Sequence, residues 1–148
     1  TEDGALMLGE TDRGWGSRGS VTEGIQRLDW TGFTPFEIQT MRLLPGQPGF
    51  RLRFTSPASA ESLADLSSYT MESYTYQSTQ RYGSAELARE EPALRAAAPH
   101  ADGLGVDLVF DGLREGFVHE LDAAGVRSAD GRLDLLHAKG YYTLVKMR

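Results

Sequence analysis

The sequence predicts an all-β protein built from two packed antiparallel sheets, and three observations point to it. Seven or so segments alternate apolar and polar residues at period two, the mark of a strand with one buried face. Turn signals separate them roughly every 8–15 residues, supplied by 17 glycines and 6 prolines. A chain of 148 residues is long enough to bury one core without covalent staples. Uneven, long connections favour a sandwich over a small barrel. No internal repeat of solenoid period is present.

The elements follow in order. Ala5-Leu6-Met7-Leu8 is a short apolar run, and Ile25-Gln26-Arg27-Leu28-Asp29-Trp30 alternates cleanly. Between them lies a glycine-rich stretch, Gly9 to Gly19, so the opening reads as strand, long loop, strand. An isolated two-stranded ribbon is marginal in water, so this pair needs a larger surface to pack on. The sandwich itself is the expected surface, with a second copy as the alternative.

Phe36, Ile38, Met41, Leu43 and Leu44 mark the next strand, ended by Pro45-Gly46-Gln47-Pro48-Gly49. Phe50-Arg51-Leu52-Arg53-Phe54 then puts three apolar side chains on one face. Ala58–Ser68 is small and acidic and predicts a loop with one helical turn capped by Ser59. Tyr69–Tyr76 is aromatic and β-branched, hence a strand. Gln77–Glu91 lacks periodicity and reads as a long excursion or a short helix from Ser84 to Arg89. Further strands are expected at Ala93–Ala98, at Val106–Phe110, at Phe117–Leu121 and at Tyr141–Met147, with turns at Ala101-Asp102-Gly103, Gly112 and Asp130-Gly131.

Composition removes several function classes. With no cysteine, a disulfide scaffold, an iron–sulfur centre, a Cys₄ zinc site and thiol chemistry are excluded. A net charge of −6, from 15 Lys+Arg against 21 Asp+Glu, argues against gripping a nucleic-acid backbone. No apolar run reaches the roughly 18–20 residues that span a bilayer as a helix. No charged-then-hydrophobic start marks a signal peptide, so any export signal is expected upstream or already removed.

Two stretches carry a family resemblance. Phe50–Tyr76 and Ala101–Val126, matching at Phe54, Pro57, Tyr69, Leu108, Leu113, Gly116, Leu121, Val126 and Gly131, resemble a bacterial immunoglobulin-like domain. The chain departs from that pattern where His119 replaces the usual aromatic and in the insertion Gln77–Glu91. The opening, Leu8-Gly9-Glu10-Thr11-Asp12-Arg13-Gly14-Trp15-Gly16-Ser17-Arg18-Gly19 with Ile25–Gly32, is similar to the C-terminal part of secreted bacterial proteins that carry a β-propeller related to the glucose/sorbosone dehydrogenases. Tyr82-Gly83-Ser84, Gly116–Leu121, and Leu136-His137 before Tyr141–Leu144 add to it. The resemblance implies residues 1–33 as a β-hairpin from the last propeller blade and residues 34–148 as an immunoglobulin-like antiparallel sandwich. It also implies a neighbouring propeller in the same polypeptide and a secreted or periplasmic location.

Each candidate site has a plain structural reading beside the functional one. The glycine loop has Gly14-x-Gly16 but neither a third glycine at dinucleotide spacing nor a Gly-Lys-Ser/Thr. It reads as a long turn, in which Arg13, Trp15 and Arg18 could present a cation and a ring to an acidic ligand. His119 and Glu120 are neighbours in a strand and point to opposite faces, so they cannot chelate one ion. A buried, hydrogen-bonded His119 near His137 is the expectation, and these two are the weak metal candidates. The aspartates lack calcium-loop spacing. Tyr74 and Tyr76 share a face at spacing two, and with Tyr82 they would stack on sugar rings if exposed and coplanar; core filling is the plainer reading. No Gly-x-Ser-x-Gly elbow appears, and a paired-carboxylate site would be visible only in space.

The expected function is therefore a non-catalytic accessory or interaction module of a larger secreted, sugar-dehydrogenase-like protein, with no cofactor. A carbohydrate-binding module is the first alternative and a small independent hydrolase the second.

Overall fold

The computed structural model describes residues 4–11, 23–80 and 83–147. Of these, 48% are strand and 6% helix, and every strand pair is antiparallel. Alternation of side chains along each strand is what produces this outcome. The residues cluster into two compact units, 1–34 and 35–148.

The first unit is a ribbon of β1 (Leu6–Thr11) and β2 (Glu23–Leu28), with Leu6 opposite Leu28 and Thr11 opposite Glu23. β2 begins two residues before the alternating stretch and stops at Leu28. Beyond it Arg27 turns back to Asp29 (2.9 Å), and the Trp30 indole N–H donates to the Phe33 carbonyl (3.2 Å). Leu6, Met7, Leu8, Ile25 and Leu28 are all exposed, and two strands by themselves bury little.

In the second unit, β3 (Ile38–Leu43) and β4 (Gly49–Phe54) form a hairpin across the proline–glycine loop. A short helix α1 (Ala60–Ala64) follows, capped by Ser59, whose hydroxyl accepts the Ser62 N–H; a 3₁₀ turn, Leu66–Ser68, comes next. The remaining strands are β5 (Thr70–Thr75), β6 (Leu87–Glu90), β7 (Ala93–Pro99), β8 (Gly105–Asp111), β9 (Phe117–Asp122) and β10 (Lys139–Leu144). They make two four-stranded sheets, ordered β3-β4-β8-β7 and β10-β9-β5-β6.

One core lies between the sheets. Phe50, Leu52 and Phe54 of β4 and Val106, Leu108 and Phe110 of β8 face Met71, Leu121 and Leu144 of the other sheet. The Phe50 ring bridges the layers, 5.2 Å from Tyr142 and 5.9 Å from His119. Each fully buried Leu or Phe contributes about 1.5–3 kcal/mol by leaving water. At one end Gly125 lies flat on the turn before β5, where a Cβ would come within 2.4 Å of Ser68 Cα. The Tyr69 hydroxyl closes α1 by donating to the Leu63 carbonyl (3.0 Å).

Gln77–Glu91 does not contain the short helix considered from the sequence. Its end is the edge strand β6, which pairs with β5 through a bulge at Ser73/Thr75. Within it, Ala88 adopts φ +50°, a left-handed conformation that breaks helical continuity. Side chains from elsewhere in the chain hold this segment, and local periodicity carries no trace of them.

Candidate functional site

The polar side chains fall into three groups, and the innermost is the most constrained. β5 turns Met71 and Ser73 into the core, β9 turns His119 and Leu121, and register sets Ser73 directly opposite His119. Ser73 and His119 are both fully buried. His119 Nε2 accepts the backbone N–H of Arg114 (3.3 Å) and lies 3.5 Å from Ser73 Oγ. That leaves the ring proton on Nδ1, which has no hydrogen-bond partner. Burial, reinforced by the Arg114 charge, holds the imidazole below its usual pKa against the opposing pull of the Phe117 and Tyr142 carbonyls, so the ring is neutral.

Arg114 completes the group. Its guanidinium donates to Ser73 Oγ (3.1 Å), the Ser73 carbonyl (2.8 Å), the Ala88 carbonyl (2.7 Å) and Glu90 Oε1 (2.8 Å). It also lies 3.8 Å above the Phe117 ring. A serine nucleophile needs an accessible hydroxyl and a base oriented by a third group on its far nitrogen. Here the hydroxyl is sealed and Nδ1 faces no carboxylate. The cluster fastens β6 to β5; it does not present a reacting atom to solvent. Sequence reasoning placed His119 correctly as a buried imidazole but missed Ser73 and Arg114. The available signal was Ser73, a hydroxyl at an inward position of an otherwise apolar strand face.

The outer face of the β10-β9-β5-β6 sheet carries Tyr74, Glu120, Lys139 and Arg89. The Tyr74 hydroxyl donates to Glu120 Oε2 (3.2 Å), and Lys139 pairs with the same carboxylate, which holds Glu120 below its usual pKa. Arg89 sits 5.3 Å over the Tyr74 ring and pairs with Glu72 and Glu86. Tyr76 meets Tyr74 edge-on, with centroids 5.6 Å apart and planes at 80°. Tyr74 is thus 4% exposed and Tyr76 51%, and the two rings form no coplanar platform. Tyr82, Arg13 and Trp15 lie outside the described residues.

The outer face of the other sheet is an ion-pair row. Arg51 makes a two-pronged bond to Asp107 (2.7 Å on each prong), whose carboxylate also meets His100 Nε2 (2.9 Å). Arg53 spans His100 and Asp102, and Arg95 pairs with Asp111. Bonding to Arg51 first, and to His100 after it, holds Asp107 at a pKa of about 2. Such mutually neutralised pairs cover a sheet face with water-compatible groups.

His137 is remote from this core chemistry in character: it is an exposed ring whose Nδ1 meets Glu37 Oε2 (2.8 Å), with its backbone N–H on Glu37 Oε1. The contact expected between His137 and His119 is therefore replaced by a His137–Glu37 pair. Among the described residues no group of three or more histidine or acidic side chains could hold a metal ion.

No protein-family model and no curated protein matches this sequence. Solved structures do match in fold. Surface layer protein SbsC, domains 1–6, superposes with a TM-score of 0.55 at 12% identity, over 74% of this chain and 14% of that one. A crystal structure of the N-terminal part of the bacterial S-layer protein SbsC gives 0.55 at 12%, over 75% and 24%. This chain thus spans a small fraction of the proteins it resembles. The likeness overturns the expected membership among sugar-dehydrogenase-like propeller proteins, and with it the reading of the opening hairpin as the end of a propeller blade. The physical reason is that the residues carrying that resemblance serve a general purpose. Leu121 and Leu144 fill the core, while Gly116 (φ +81°) makes a turn of a kind that antiparallel sandwiches of many lineages need.

Proposed function

We propose that this chain is a non-catalytic structural module of a larger extracellular or cell-surface protein. The observation that carries the reading is the fate of its reactive groups. The serine–histidine pair is sealed in the core, and both outer sheet faces are tied into ion pairs. Such a body offers a rigid, hydrated β-block rather than a reaction centre. The fold likeness to S-layer domains supports the surface setting, and the strand order supports an immunoglobulin-type arrangement: β3-β4-β8-β7 facing β10-β9-β5-β6 corresponds to A-B-E-D facing G-F-C-C′.

Two measurements test this. Lys139 and Lys146 are the chain's lysines. A membrane-impermeant amine reagent applied to intact cells of the source organism is expected to label Lys139, whose side chain is half exposed; labelling only after lysis would overturn the surface setting. A fluorophosphonate probe is expected to leave Ser73 unmodified in the folded chain, and adduct formation there would overturn the non-catalytic reading.

A further inference from the structure

Two apolar surfaces of this chain are open, and their chemistry is complementary. The first is a groove of about 650 Å³ where the free edges of the two sheets meet, lined by Leu43, Leu44 and Pro45 after β3 and by Tyr142 and Val145 of the β10 end. It continues past Leu43 and Leu44 into a hollow of about 280 Å³ beside Pro48 and Met147. Val145 is 79% exposed. Among the described residues β3 pairs only with β4 and β10 only with β9, so both strands leave backbone donors and acceptors available to another strand.

The second surface is the β1–β2 ribbon. Register puts Leu6, Leu8 and Leu28 on one face, and all three are exposed. Both ribbon edges lack a further strand among the described residues. The charges also match. The groove is flanked by Arg42 and Lys146, in a protein whose net charge is −6. On the ribbon, Glu10 follows Leu6 and Leu8 on the same face, while Asp29 is taken up by Arg27 (2.9 Å).

We propose that copies of this chain associate head to tail, the leucine face of one copy's β1–β2 ribbon seating in the β3/β10 groove of the next. The ribbon thereby gains the neighbouring sheet that two strands need, and the groove's aliphatic lining leaves water. The Glu10 carboxylate, on the leucine face, meets the cationic rim, which sets the orientation. Because the two surfaces differ, the contact is heterologous, and any assembly that does not close into a ring keeps one open ribbon and one open groove at its ends. This deepens the structural-module reading by naming its partner, a second copy, but it stands on different residues from those that argue against catalysis.

The test uses the full chain in sedimentation velocity and light scattering up to about 1 mM, the weak end of measurable association. The wild type is expected to show a mass that rises with concentration above the 16.2 kDa monomer. Leu8→Asp removes the ribbon face and Val145→Asp the groove, and each alone is expected to stay monomeric. Mixed in equal amounts they are expected to form a two-chain species and nothing larger, as each supplies the surface the other lacks. Circular dichroism and melting check the fold; if either variant fails, the milder Leu8→Gln and Val145→Gln, at the same exposed positions, replace the pair. A monomeric wild type at 1 mM, single variants that still associate, or a mixture that stays monomeric would each overturn the proposal. None of these outcomes bears on the labelling tests of the surface-module reading, so the two fail separately.

Discussion

Replacing Phe50 by alanine is the sharpest probe of whether the two sheets share one core. The ring is fully buried and stands between the layers, with centroids 6.4 Å from Phe110 in its own sheet and 5.9 and 5.2 Å from His119 and Tyr142 in the other. Truncating a buried Phe costs about 3–5 kcal/mol, from lost transfer energy and from the cavity left where neighbours cannot close in. The ring–ring contacts add to the upper end of that range. With a urea m-value of about 1.5 kcal/mol/M, the unfolding midpoint is expected to fall by about 2–3 M, with the slope unchanged. Thermal unfolding should drop by something like 12–20 °C. Leu136→Ala, on the exposed surface, should stay within about 0.5 kcal/mol and serves as the control. A loss below about 1 kcal/mol for Phe50→Ala would refute the reasoning, since it would mean that the ring does not join two packed layers.

Four further outcomes follow from the same geometry. His119 is held neutral and below its ordinary pKa, so the unfolded chain binds its proton first; stability contributed by the neutral ring is present above about pH 6.5 and falls as acid is added. His119→Gln is expected to flatten the stability profile between pH 7 and 5, measured by urea titration at each pH, and an unchanged slope would contradict the buried neutral ring. Asp107, at a pKa of about 2, contributes roughly 1–2 kcal/mol after allowance for the half-exposed Arg51, present above about pH 4 and lost as pH falls toward 2. Asp107→Asn should therefore be destabilising at pH 7 and neutral near pH 2. Ala88 sits at φ +50°, so Ala88→Gly should be neutral to stabilising by up to about 1 kcal/mol, whereas Gly125→Ala, pressed on Ser68, should cost more than about 2 kcal/mol.

Much of the fold was legible because alternation is a local property. Phe50-Arg51-Leu52-Arg53-Phe54 announces both its strand and its buried face, and the Ser59 cap announces α1. β6 was not legible, because what holds Leu87–Glu90 extended is Arg114, 24–27 residues away, reaching the Ala88 carbonyl and Glu90. The candidate site was only half readable for a related reason. Tyr74 and Tyr76 do share a face, but whether their rings lie open or covered depends on Arg89 and Glu120, which arrive from other strands. The family resemblance misled because turn glycines and core leucines report the needs of a sandwich and say little about its lineage.

What the sequence by itself determined is the period-two burial of one face in strand after strand, and hence an all-β chain with a core between sheets. Side-chain alternation and turn chemistry act over a few residues, so they are written into the local order of amino acids. What only the tertiary structure decided is which polar groups are sealed and which are open. Ser73 and His119 are buried together, while Val145 and the leucines of β1–β2 face water. Burial is set by which strand lies across from which, and that pairing joins residues far apart in the chain.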